Sequence, residues 1–108
     1  MARVNITYPT TLVLQALSTG STYGFEIMDA TGLPSGTVYP LLRRLERLAC
    51  VEARWEDEEQ ASREGRPARR HYQLTGEGRE VLARGRARFA AVDHAVPAGP
   101  RPPLMGAG

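Results

Sequence analysis

Residues 35–48 read Ser35-Gly36-Thr37-Val38-Tyr39-Pro40-Leu41-Leu42-Arg43-Arg44-Leu45-Glu46-Arg47-Leu48. Val38, Leu41, Leu42, Leu45 and Leu48 recur at three- and four-residue spacing, which puts them on one face of an α-helix. Tyr39, Pro40, Arg43, Arg44 and Arg47 occupy the other face. Pro40 would break a helix interior but is harmless in a first turn, so the expected N-cap is Thr37. A helix with one side for a core to hold and one side bearing cationic donors suits insertion into the major groove of DNA. Arg43 and Arg44 project about 100° apart and are not expected to read the same base. Ser35, Gly36 and Thr37 add backbone N–H groups at a helix N-terminus, where the dipole favours a phosphate oxygen.

Upstream, a helix is expected over 7–17: Thr7 can cap it, Pro9 falls in its first turn, and Leu12, Val13, Leu14, Ala16 and Leu17 make it apolar nearly all round. Such a helix must be covered on several sides. A second helix runs from Tyr23 to Ala30 with Gly32 placed to end it, and Leu33, Pro34, Ser35 and Gly36 form a tight turn. Downstream, Val51, Ala53 and Trp55 alternate with Glu52, Arg54 and Glu56, the period of a strand with one buried face, and Trp55 is expected in the core. A second strand fits 69–74, with Tyr72 and Leu74 on one side. The loop between them carries an acidic run, Glu56 to Glu59, then Arg63 and Arg66, and turns at Gly65 and Pro67. Arg66, Arg69 and Arg70 are the candidates for backbone or minor-groove contacts. Three helices followed by a hairpin give an α+β, mainly helical fold: a winged helix-turn-helix over residues 1–74, binding duplex DNA.

Thr75 can cap a final helix with Glu77 near its positive end. Within it Gly78, Leu82, Gly85, Phe89 and Val92 alternate four and three apart, a coiled-coil spacing. Residues 75–94 are therefore expected to form a dimerisation helix, with Leu12, Leu82, Gly85, Phe89 and Val92 at the interface. The reasoning is that the wing already closes the three-helix core, leaving the stripe to face a second copy. A homodimer matches a palindromic operator with half-sites roughly 34 Å apart or a multiple of that. Residues 95–108, with Pro97, Gly99, Pro100, Pro102 and Pro103, lack periodicity and are expected to be a disordered tail.

The 108 residues fit one domain. The net charge of +2 hides the uneven distribution described above, and every one of the 14 cations is Arg. Cys50 is alone, flanked by Leu48 and Val51, and reads as a buried packing thiol. No apolar run approaches the roughly 20 residues of a membrane span, and the N-terminus does not read as a signal peptide, so a cytoplasmic location is expected. His71, His94 and Cys50 match no zinc spacing, so no metal is expected. Nucleophile-elbow, phosphate-loop and HExxH patterns are missing, which argues against an enzyme and against a cofactor.

Four motifs in order, Tyr23-Gly24-Phe25-Glu26-Ile27, Ser35-Gly36-Thr37-Val38-Tyr39-Pro40 with Leu45-Glu46, Gly65-Arg66-Pro67, and Tyr72-Gln73-Leu74-Thr75, resemble the PadR family of bacterial transcriptional regulators. The matches span residues 12–79, and the short region after the wing resembles the compact subfamily with one C-terminal helix. The resemblance implies a winged-helix DNA-binding domain, a DNA contact for Tyr39, dimerisation through the C-terminal helix, and repression relieved by a small molecule or stress. Three positions depart from the family pattern. Ala49 stands where Gly is general; a left-handed Ala would be strained by about 1 kcal/mol, so a different helix end is expected. His71 replaces an aromatic, usually Tyr, and Pro34-Ser35 reverses the usual order. The competing reading is a winged-helix protein-interaction module without DNA affinity, against which the arginine face and basic wing argue.

Overall fold

The computed structural model describes residues 4–96. The apolar run after Thr10 forms α1 (Tyr8–Ser18), with Thr7 as N-cap accepting the Thr10 N–H at 3.3 Å and Pro9 in the first turn. Every residue from Thr10 to Leu17 is buried, so α1 is the axis of the domain. Around it pack α2 (Gly24–Thr31), α3 (Ser35–Arg47), β2 (Arg70–Leu74), α5 (Gly76–Arg88) and α6 (Val92–Ala95). β1 (Val51–Trp55) pairs antiparallel with β2, Val51 opposite Leu74, Ala53 opposite Tyr72 and Trp55 opposite Arg70; α4 (Glu58–Arg63) lies between the strands. The order of elements is that of a winged helix, mainly helical with a small sheet.

Helix α3 starts two residues before the expected cap. Pro34, extended at φ −75° and ψ 161°, offers its carbonyl to both the Thr37 N–H at 2.9 Å and the Val38 N–H at 3.0 Å. The chain therefore turns on Pro34, and Thr37 lies inside the helix. Pro40 consequently sits in the second turn, where it has no N–H for the Gly36 carbonyl. Gly36 and Pro40 are both on the solvent side, so water can satisfy that carbonyl.

The other end of α3 also differs from expectation. Cys50 N–H reaches the Leu45 carbonyl at 2.9 Å and Ala49 N–H the Glu46 carbonyl at 3.1 Å, a Schellman ending with Ala49 left-handed at φ +61°. Leu45 and Cys50, both buried, supply the apolar contact that accompanies this motif. The helix keeps the glycine-type geometry and Ala49 bears the steric conflict. Ala49→Gly is accordingly expected to raise stability by about 1 kcal/mol, read as a higher midpoint in urea unfolding. A variant no more stable than the parent would contradict the left-handed ending.

Three further expectations are corrected. The wing loop contains α4, because Asp57 accepts the Glu59 N–H at 2.8 Å, Glu58 and Glu59 lie at the positive helix end, and Ala61 is buried as an anchor. Trp55 is not in the core but 61% exposed, since β1 runs past the core edge and its cross-strand partner there is Arg70. The C-terminal helix stops at Arg88, and Phe89 turns the chain into α6. Ala95 belongs to α6, and Val96 is buried with its carbonyl accepting from Gln15 Nε2 at 3.0 Å, so the expected tail cannot begin before residue 97. Its remainder, 97–108, lies outside the described residues.

The stripe on α5 faces α1 of the same chain. Leu12, Leu82 and Val92 are 4%, 5% and 0% exposed, Gly85 is buried against Thr11, and Phe89 is half-buried edge-on to Tyr8 at 5.8 Å between ring centroids. The premise that the wing closes the core does not hold: the hairpin covers only part of α1, whose all-round apolar surface takes up α5 and α6 as well. Leu12, Leu82, Gly85 and Val92 are thus already covered within one chain.

Candidate nucleic-acid interface

Anchored by Val38, Leu42 and Leu45, all 1% exposed or less, α3 turns its opposite face to solvent. Ser35, Gly36, Pro40, Arg43, Arg44 and Arg47 are exposed there, while Thr37 is half-buried. No side chain caps the first turn. The Ser35 and Gly36 N–H groups lie at this uncapped end, but that of Thr37 is already donated to Pro34, so the expected three-residue anion cradle is reduced to two. Tyr39 is half-buried. Its ring and hydroxyl lie where a Cβ on Gly24 would be, so the bare backbone at the start of α2 is what lets Tyr39 lie across it. Around α3, Tyr39 and Arg43 are only about 40° apart, which aligns them along one flank.

The wing is organised by Glu56, a residue that the sequence showed only as the first of an acidic run. Both guanidinium nitrogens Nη1 and Nη2 of Arg66 donate to its carboxylate, the Arg69 N–H donates to Oε1 at 2.8 Å, and His71 Nε2 meets Oε2 at 2.7 Å. His71 Nδ1 in turn meets Thr22 Oγ1 at 2.8 Å, and the Thr22 N–H donates to Glu26 of α2 at 2.8 Å. His71 therefore links the wing base to the start of α2 through one contact at each ring nitrogen.

The hydrogen bonds from Arg66 first, then from His71, hold the Glu56 carboxyl well below its ordinary range, at about 2. A carboxyl lowered on folding stabilises the folded state fully above the unfolded value of 4.5 and loses that contribution as pH falls toward 2. Acidification through this window is expected to loosen the wing, and Glu56→Gln to flatten that part of the pH dependence. Thermal melts of parent and variant between about pH 5 and pH 2 check it; parallel curves would remove Glu56 from this role.

The three wing cations singled out from sequence are thus occupied differently. Arg66 is held by Glu56 and by Glu64 at 3.0 Å. Arg70 pairs with Glu46 of α3 at 2.8 Å and lies over the Trp55 ring at 5.4 Å, while Arg69 stacks on Tyr23 at 4.3 Å. The sequence reading did not place Phe25 and Trp55 at the surface, where they are 70% and 61% exposed. Phe25 carried a readable signal, an aromatic in the Tyr23-Gly24-Phe25 motif; Trp55 carried none, because strand alternation does not say where the core ends.

Helix α3 and the hairpin that forms the wing fall within a single family match. The model of the PadR-like family of transcriptional regulators matches residues 13–84, from α1 into α5. The chain belongs to the PadR-like family. Membership makes it a transcription regulator and implies that it acts through DNA. Among solved structures it is similar to a PadR family transcription regulator from Clostridium difficile, 24% identical over 82% of this chain and 93% of that one with a TM-score of 0.66. It is also similar to a PadR-like transcription factor from Bacteroides fragilis, 24% identical over 79% and 82%, TM-score 0.62. A transcriptional regulator from Clostridium thermocellum is 22% identical over 81% and 87%, TM-score 0.62. At these identities the likeness is one of fold. Among curated proteins none matches. No helix among the described residues of this PadR-like chain is long and apolar enough to cross a membrane.

Proposed function

We propose that this PadR-like regulator is a cytoplasmic repressor that binds palindromic duplex DNA as a homodimer, its affinity set by a small molecule or stress signal. The observation that carries the reading is the division of α3: Val38, Leu42 and Leu45 buried behind, Arg43, Arg44 and Arg47 exposed in front. Ser35, Gly36, Tyr39, Pro40 and these three arginines are the groove-facing set, and the wing adds Arg69 to the adjacent backbone. Arg66 and Arg70 contribute by shaping the wing and by exchanging a carboxylate for a phosphate on binding.

A single 13-residue recognition helix suits one half-site, which favours two copies. We take the pairing surface to be the start of α1 and the end of α5, a reading supported by Phe89, which is left half-buried beside Tyr8. Leu12, Leu82, Gly85 and Val92 act indirectly, by seating α5 on α1. The second reading, a protein-interaction module without DNA affinity, draws on the ion pairs that engage Arg66 and Arg70.

Titration against random-sequence duplex separates them. For six or more phosphate contacts, affinity falls about 1,000-fold between roughly 50 and 200 mM salt; binding that ignores salt would defeat the DNA reading. Sequencing the duplexes selected from a random pool is expected to return a palindrome with half-sites about 34 Å apart, and a lone half-site would defeat the dimer.

A further inference from the structure

We propose that the cleft between the start of α2 and the wing, bordered by Tyr39 of α3, seats the DNA backbone strand flanking the groove that α3 enters, with Phe25 and Trp55 packing on its sugars. The inference rests on the DNA reading above and deepens it. The cleft, about 410 Å³, is bordered by Phe25 of α2, Tyr39 of α3, and Trp55, Arg69 and Arg70 of the wing. Phe25 and Trp55 are the two large apolar side chains left exposed among the described residues, and both lie on this one feature. Exposed apolar surface gathered in one place, rather than scattered, marks a contact site.

Two features identify the occupant. The first is charge placed on apolar ground: Arg69 lies 4.3 Å over the Tyr23 ring and Arg70 5.4 Å over Trp55. A surface that interleaves flat apolar rings with guanidinium groups complements a chain that alternates deoxyribose with phosphate. The second is position. With α3 in a major groove, the strand bordering that groove on the wing side lies over Tyr39 and meets the aromatic rim formed by Phe25 and Trp55. In the free protein Arg70 holds the wing against α3 through Glu46 at 2.8 Å beside the cleft, the carboxylate that a phosphate replaces on binding.

The sugar–phosphate strand is common to all sequences, and an aromatic side chain adds no charge. Phe25 and Trp55 are therefore affinity residues whose removal leaves specificity and the salt slope unchanged. Trp55 is the one tryptophan of the chain, so its fluorescence reports on the cleft alone. Adding a random-sequence duplex of about 20 base pairs, two helical turns, to the full-length protein is expected to quench or blue-shift that emission. Phe25→Ala and Trp55→Ala are each expected to bind selected and random duplexes alike about tenfold more weakly, at unchanged melting temperature and salt slope. Trp55→Phe keeps most of the affinity.

Emission that stays constant while a gel shift shows the duplex bound overturns the inference and leaves the DNA reading standing. So do variants that bind like the parent, and so does poly-glutamate that shifts the emission as DNA does, since the cleft would then be a seat for any polyanion. A parent protein that binds no duplex overturns both.

Discussion

Gly78→Ala is expected to destabilise this regulator by about 2 to 3 kcal/mol, the largest effect of any single methyl group added to it. Gly78 is in the first turn of α5, its N–H bonded to the Thr75 hydroxyl at 3.1 Å. A Cβ there would collide with the Cys50 carbonyl oxygen and press on Leu74 Cδ2 at 3.1 Å. The first obstacle is backbone and cannot rotate away. That carbonyl also accepts the Thr75 N–H at 3.1 Å, and the Cys50 N–H closes the end of α3. The end of α3, the end of β2 and the start of α5 thus meet at one point, and a shift of α5 is transmitted to α3. Gly85→Ala meets the Thr11 side chain, which is buried and bonded to the Thr7 carbonyl at 2.9 Å, so it is also costly. Gly76→Ala meets nothing and is expected to change stability by no more than about 0.5 kcal/mol. Urea unfolding of the three variants is the measurement. Should Gly78→Ala prove as stable as Gly76→Ala, α5 does not sit on the Cys50 carbonyl.

Arg43→Ala is expected to weaken binding to a selected operator by about 1 to 3 kcal/mol, roughly 5- to 150-fold, without altering stability. Arg43 is exposed, on the same flank of α3 as Tyr39, and its removal takes away only what it gives to DNA. Arg66→Ala should behave otherwise. It removes the hydrogen bonds that Glu56 accepts from the Arg66 guanidinium, so it lowers stability, weakens all sequences alike and flattens the salt dependence. Fluorescence anisotropy on selected and random duplexes distinguishes these outcomes. If Arg43→Ala and Tyr39→Ala both bind the selected duplex as the parent does, α3 is not the reading element.

What could be read from the chain follows the range of the interactions involved. Thr7 as a cap, Gly32 as a terminator, the three- and four-residue spacing of Val38 to Leu48, and the alternation from Val51 are all local, and each of these four elements is found within about two residues. The motif residues Gly24 and Tyr39 differ in range, since Gly24 of α2 leaves the space that the Tyr39 ring of α3 fills. Even the α4 helix was open to reading, in Asp57 followed by two glutamates, but loop and helix cap share that composition.

The sequence by itself determined the helical frame, the hairpin, and the arginine face opposite the leucine face of α3, because periodicity and capping act within a few residues. Only the tertiary structure decided that the α5 stripe closes on α1, that Trp55 stands in solvent, and that Glu56 gathers Arg66, Arg69 and His71 into the wing base. Each of these depends on which distant segment arrives at a given surface. A charge pattern along the chain carries no record of the carboxylate it will meet across a turn, nor an apolar stripe of the helix that will cover it.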